Sequence, residues 1–290
     1  MSDACAAGVD IGFVSLGYVR VAALGVVQGI TELLPISSTA HMRVVPALLG
    51  WRDPGSAFSA AMQLAALAAV VSYFWSDVSR LAGRSLVAAR RRDFEDPSLR
   101  LVAWIALATL PIALAGVALS GLLNQCNSPL RGLAVIGWAC IAMAVLLALA
   151  ELGARHRKTL GDASFVDAMI VGVAQIGALI PGVSRSGSTL TAALGLGFKR
   201  EEAARFSFLL GLPAIALAGL KEVWELHKVH LDAHGWSVLG VGLVVASISA
   251  FVAIWGLMRI LERFSAWPFV IYRALLGVGL LAGLAVGVLH

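Results

Sequence analysis

Apolar runs of about 20 residues recur along this chain, at roughly 57–75, 101–123, 132–150, 203–223, 237–258 and 267–288. Each is continuous rather than alternating, and as a helix each is long enough to cross the ~30 Å hydrocarbon of a bilayer. A transmembrane β-barrel is disfavoured, because its strands would alternate apolar and polar positions over about 10 residues. The pattern predicts an all-α integral membrane protein with six crossings. Two more segments, at about 15–50 and 166–197, are apolar but broken by proline and crowded with serine. Each is expected to enter and leave on one side of the membrane as a re-entrant helical hairpin.

Composition agrees with this reading. Of the 290 residues 59% are hydrophobic and 13% charged, with a mean hydropathy of +0.88, whereas a soluble domain has about 25% charged residues. The net charge of +5 would point to nucleic acid in a soluble protein. Here the excess sits in short connections between the apolar runs, where it reads as a topology signal. Three cysteines, Cys5, Cys126 and Cys140, make no disulfide framework and receive no role.

The connection at 76–100 carries Arg80, Arg84, Arg90, Arg91, Arg92 and Arg100, and that at 151–165 carries Arg155, Arg157 and Lys158. Both are expected on the cytoplasmic side. Between them Asn124–Leu130 has no charge, as an outer connection would. Continuing the alternation puts the N-terminus outside, with Asp3, Asp10 and no basic residue before Arg20. Nothing there resembles a cleaved signal. The first hairpin then opens from outside, the second from inside before Lys199 and Arg200, and His290 ends outside.

The chain thus reads as one polytopic domain of two halves, 15–150 and 166–288, each a hairpin plus three spans. The halves have opposite orientation, the inverted-repeat plan of many transporters. Local matches agree: Leu34-Pro35-Ile36-Ser37-Ser38 with the stretch from Ile180-Pro181 to Ser184-Arg185-Ser186, allowing an insertion, Phe58-Ser59 with Phe206-Ser207, and Arg131-Gly132-Leu133 with Arg273-Ala274-Leu275.

The hairpins carry the candidate chemistry. Gln28 and Glu32 are four residues apart, so on a helix they share a face. A glutamate at membrane depth normally faces a cavity, a partner or a pathway. Pro35 ends that helix, and Ser37 or Ser38 is a good N-cap for the next. His41 then lies about one turn beyond Ser38, within reach of a hydroxyl, a possible nucleophile and base. In the second hairpin Pro181-Gly182 breaks the chain and Ser184-Arg185-Ser186-Gly187-Ser188-Thr189 opens another helix. A helix start with hydroxyls and a guanidinium is an anion site. Taken singly, Ser37, Ser38, Ser184, Ser186 and Thr189 have a plainer use in capping and packing, and Glu32 and Arg185 could simply pair with each other. His227, His230 and His234 with Asp232 read as a solvated loop rather than a metal site. Trp51, Trp75, Trp236 and Trp267 read as interfacial anchors.

At the two hairpins the chain resembles the undecaprenyl-pyrophosphate phosphatase family of bacteria, the UppP or BacA type, also called bacitracin-resistance proteins. Gln28-Gly29-Ile30-Thr31-Glu32-Leu33-Leu34-Pro35-Ile36-Ser37-Ser38-Thr39-Ala40-His41 is similar to its first motif, and Pro181-Gly182-Val183-Ser184-Arg185-Ser186-Gly187 to its second. The resemblance implies a plasma-membrane phosphatase that trims undecaprenyl pyrophosphate to the monophosphate carrier lipid of cell-wall synthesis, with a site opening outward and a divalent cation, Mg2+ or Ca2+. It assigns Ser38 and His41 as catalytic hydroxyl and histidine, Glu32 as catalytic carboxylate and metal ligand, and Arg185 as phosphate-binding arginine. Gln28, Ser37, Thr39, Ser184, Ser186 and Thr189 are then expected to bind substrate. Two positions of the first motif bear on these roles. Gln28 stands where the family has Glu or Gln and carries no charge, which leaves Glu32 as the only motif carboxylate; Ala40 stands where glycine is usual.

Expected partners are a polyprenyl pyrophosphate and membrane lipids, with no nucleic acid; a homodimer stays open. The rival reading is a polyprenyl-phosphate flippase or transporter, because inverted repeats with broken helices also build carriers.

Overall fold

The computed structural model describes residues 11–119, 121, 130 and 132–289, and among them there is no strand, only an isolated bridge between Lys158 and Phe198. The expectations for Asp3, Cys5, Asp10, Cys126, most of the 124–130 connection, Arg131 and His290 fall outside the described residues. A 3-10 turn from Gly12 leads into α1 (Gly17–Leu33), followed by α2 (Ser38–Leu48), α3 (Ser56–Ala61), α4 (Gln63–Tyr73), α5 (Trp75–Arg91), α6 (Pro97–Ala118) and α7 (Leu133–Gly153). Then come α8 (Phe165–Ala174), prolonged by a 3-10 turn to Leu179, α9 (Arg185–Gly195), α10 (Arg200–Lys228), α11 (Ala233–Arg263) and α12 (Trp267–Ala285).

Among the described residues six helical stretches are long and apolar enough to cross a membrane: Gly12–Leu33, α6, α7, α10, α11 and α12. The chain is a multi-pass helical membrane protein. The last five coincide with predicted runs. The predicted run 57–75 behaves differently, because its helix bends by 81° at Phe74 and continues as α5. Gly12–Leu33, expected as one arm of a hairpin, is long enough to cross by itself.

The stretch 76–100, read from its arginines as a connection, is largely helical. Val78 and Leu81 pack on the core and Ser85 and Ala88 are buried, a spacing of three and four that gives α5 one inward face. Arg80, Arg84, Arg90 and Arg91 lie exposed on the rest of it. The density of charge masked the helical period beneath it. Arg92, in a left-handed conformation with φ 56°, ends the helix.

Helices α2 and α9 have 11 residues each. At ~1.5 Å per residue each reaches ~16 Å, about half the hydrocarbon thickness. In lipid, helices associate through close packing, so small residues mark the contacts. Helix α1 lies on α11, where a Cβ on Gly29 would stand 2.7 Å from Ser249 Cβ. Helix α8 lies on α6 in the same manner, where a Cβ on Gly172 would stand 2.8 Å from Ala108 Cβ. Helix α7 packs on α12, and α4 on α10. Helix α12 carries Arg273, the largest fully buried side chain among the described residues.

Candidate active site

The first break begins at Leu34, extended with ψ 143° because Pro35 follows it. Ser37 then takes φ 73°, and its Oγ accepts from Ala40 N–H at 3.3 Å, starting α2. The second break repeats this geometry. Ile180 is extended before Pro181, Ser184 takes φ 71°, and its Oγ accepts from Gly187 N–H at 3.2 Å. A serine held at positive φ costs about 1–3 kcal/mol, so the surroundings must impose it.

Arg273 is the chief of those surroundings. Its Nη1 donates to the Pro35 carbonyl at 3.0 Å, and its Nη2 donates to the carbonyls of Gly182 and Val183 at 2.8 and 2.9 Å. One guanidinium thus joins both breaks. The tips also clasp each other directly. Gly182 N–H donates to Thr39 Oγ1 at 3.2 Å, and Ser186 Oγ donates to the carbonyls of Leu34 at 3.1 Å and Glu32 at 3.2 Å. Thr39 and Ser186 each stand two residues after their capping serine.

Glu32 is the hub of the polar cluster. Its Oε2 accepts from Ser38 Oγ at 2.6 Å and from Gln28 Nε2 at 2.9 Å, and its Oε1 accepts from Arg185 Nη2 at 3.3 Å. Arg185 keeps Nε and Nη1 buried without a partner, on a side chain 9% exposed. Room for it comes from Gly211 of α10, where a Cβ would collide with Nη1. A cavity of about 170 Å³ opens beside the cluster, with Gln28, Glu32, Ser38, Thr39, Arg43 and Asp53 in its wall.

Ser38 and His41, expected to share a hydrogen bond, have different partners. His41 Nδ1 lies 2.7 Å from the Ser37 carbonyl, which only accepts, so in the neutral ring Nδ1 carries the proton. Nε2 then accepts from the Tyr272 hydroxyl at 2.5 Å, with the two rings stacked at 5.6 Å. The reason is local: the turn at Ser37 offers its carbonyl to His41 and swings Ser38 back toward α1. Of the other expected residues, Ser37 and Ser184 cap helices and Ser186 bonds to the first break. Thr189 is not brought to the cavity; it is fully buried, with its hydroxyl on the Arg185 carbonyl at 2.8 Å and on Ser207 Oγ at 2.5 Å.

A family model described as bacitracin resistance protein BacA matches residues 21–279. The chain belongs to that family. It is 81% identical over 260 residues to undecaprenyl-diphosphatase 2 of Mesorhizobium japonicum, covering 90% of this chain and 98% of that protein. It is 47% identical over 277 residues to the undecaprenyl-diphosphatase of Gloeobacter violaceus, covering 94% of each.

In this BacA-family chain two residues of the cluster went unassigned from sequence, Arg273 and Tyr272. Arg273 was noticed only as part of a repeat match, although a charged residue inside an apolar span is itself a signal. Tyr272 has no such mark. Among the described residues no group of three or more His, Cys, Asp and Glu gathers as a protein-only metal site. Gln28 Oε1, however, is buried without a partner beside Glu32. A carboxylate and an amide oxygen suit a hard cation that draws its remaining ligands from water and phosphate.

Proposed function

We propose that this chain is an undecaprenyl-pyrophosphate phosphatase of the bacterial inner membrane, releasing the terminal phosphate and returning the monophosphate carrier lipid for peptidoglycan synthesis. The observation that carries this is the Ser38 hydroxyl held 2.6 Å from the Glu32 carboxylate, beside a guanidinium with two unpartnered nitrogens. The names of the relatives support the substrate.

In this scheme Arg185, Thr39 and the N–H groups opening α2 and α9 hold the phosphate oxygens. Ser38 Oγ attacks the terminal phosphorus and gives its proton to Glu32. The bond from that phosphorus to the bridging oxygen breaks, and the polyprenyl monophosphate leaves. Water then attacks the phosphoserine, its bond to Oγ breaks, and Glu32 returns the proton to Ser38 as inorganic phosphate departs. His41 holds the turn at Ser37 and ties it to Tyr272, while Ser37, Ser184, Ser186 and Thr189 hold the shape of the two tips. Direct attack by water with His41 as base uses the same residues and differs in leaving Ser38→Ala active. A divalent cation, Mg2+ or Ca2+, would be held by Glu32 and Gln28 Oε1 and would neutralise charge on the pyrophosphate.

The inverted repeat belongs to the same proposal. The two breaks share a capping serine at positive φ, and α1 meets α11 as α8 meets α6, each hairpin's first helix lying on the middle span of the other half. The third spans, α7 and α12, pack on each other, as do the first, α4 and α10. The family resemblance supports a site that opens outward, and loop charges support both termini outside.

The test is phosphate release by the purified protein from undecaprenyl pyrophosphate. Release is expected, is expected to stop with chelator, and should fall about 10²–10³-fold in Glu32→Ala and Arg185→Ala. Lipid movement across vesicles without phosphate release would overturn the proposal in favour of a carrier.

A further inference from the structure

Among the described residues the cavity beside Glu32 has a single cationic side chain in its lining, and it is Arg43 rather than Arg185. Arg43 lies in α2 five residues after Ser38, ~7.5 Å further along the helix axis. It pairs with Asp53, whose other oxygen accepts the Gly55 N–H at 3.0 Å. The backbone therefore fixes the carboxylate, and the carboxylate orients the guanidinium.

An ion pair with both side chains 35% exposed adds little to stability, so holding the fold is a weak reason for this arrangement. Presenting donors to the cavity is a stronger one. A guanidinium has five N–H groups, and the contact with Asp53 runs through one nitrogen. The substrate in the proposed reaction has two phosphates, and Ser38 engages the terminal one. The second needs its own cation. Arg273 gives both Nη groups to three backbone carbonyls, and the free nitrogens of Arg185, beside Glu32 and Ser38, go to the terminal phosphate in the proposed reaction.

We infer that Arg43 binds the phosphate that Ser38 does not attack, the one esterified to the lipid, with Asp53 as its positioning residue. This rests on the pyrophosphatase reading of the site. Because that phosphate stays on the lipid, Arg43 holds substrate and monophosphate product alike. It sets affinity rather than the chemical step.

The experiment is steady-state phosphate release by the full chain, with undecaprenyl monophosphate and inorganic phosphate as inhibitors and a thermal midpoint for every variant. Arg43→Gln is expected to raise KM and the inhibition constant of the monophosphate about tenfold, with kcat within about twofold and inhibition by inorganic phosphate unchanged. Arg43→Lys should recover part of the affinity, and Asp53→Asn, which keeps the guanidinium, should raise KM only about two- to threefold. An unchanged KM in Arg43→Gln overturns the inference, as does an Asp53→Asn profile equal to that of Arg43→Gln, which a merely structural ion pair would give. If the unmodified chain releases no phosphate, the reading of the whole site has failed and the role of Arg43 with it.

Discussion

Two arginines meet at the hairpin tips, Arg185 from within the second tip and Arg273 from α12, and they differ in what their nitrogens do. Arg273 is fully buried and donates to three backbone carbonyls drawn from both breaks. Arg185 is nearly as buried, yet makes one 3.3 Å contact with Glu32 and leaves Nε and Nη1 without partners. A charged residue in a membrane span is by default a functional candidate. Burial alone does not separate these two. The guanidinium with both Nη groups engaged, and only Nε left over, is a structural clamp, and the one with a single contact is a binding group waiting for an anion.

The largest expected effect breaks the clamp. Arg273→Ala takes the donor from the carbonyls of Pro35 and Val183, leaves that of Gly182 only the Cys140 thiol at 3.6 Å, and releases two serines from strained backbone, a loss of about 3 kcal/mol or more. Purified yield and thermal midpoint should fall together. Arg273→Lys should rescue little, because an ammonium lacks the planar fork that reaches two breaks at once. Arg185→Ala should do the opposite, lowering kcat/KM about 10²–10³-fold while the thermal midpoint stays within a few degrees. Loss of stability comparable to that of Arg273→Ala would erase the distinction.

A milder change tests whether the position of Arg185 matters. Gly211→Ala puts a methyl where Nη1 lies, and should cost about tenfold or more in kcat/KM. In an Arg185→Ala background the same substitution should add almost nothing, as expected for coupled residues. The smallest effect is at the clamp's neighbour. Tyr272→Phe removes the hydroxyl facing His41 Nε2, and a drop of about twofold to fivefold fits a positioning role for His41. A loss matching Arg185→Ala would instead put His41 in the chemistry.

Much of this was legible in the sequence where physics is local. Proline and serine at 35–38 and 181–184 marked both breaks, and the polar residues crowded around them marked the cluster. Spacing failed where the chain bends. Helical arithmetic joined Ser38 to His41, but Ser38 and Glu32 lie on either side of a break across which no periodicity runs. Arg273 and Tyr272 come from a span more than 230 residues away from their partners in the first tip, a pairing no local pattern encodes. Thr189 followed its neighbours into the expected site, although its hydroxyl serves α10. In α5 the dense arginines concealed a regular inward face.

Everything proposed for the cluster turns on the hydroxyl at 2.6 Å from Glu32. Turnover of purified Ser38→Ala on undecaprenyl pyrophosphate, measured as phosphate release at saturating substrate, tests it most directly. A fall of at least about 10²-fold with an unchanged thermal midpoint is expected for loss of the nucleophile. Near-normal turnover would contradict it and assign the attack to water.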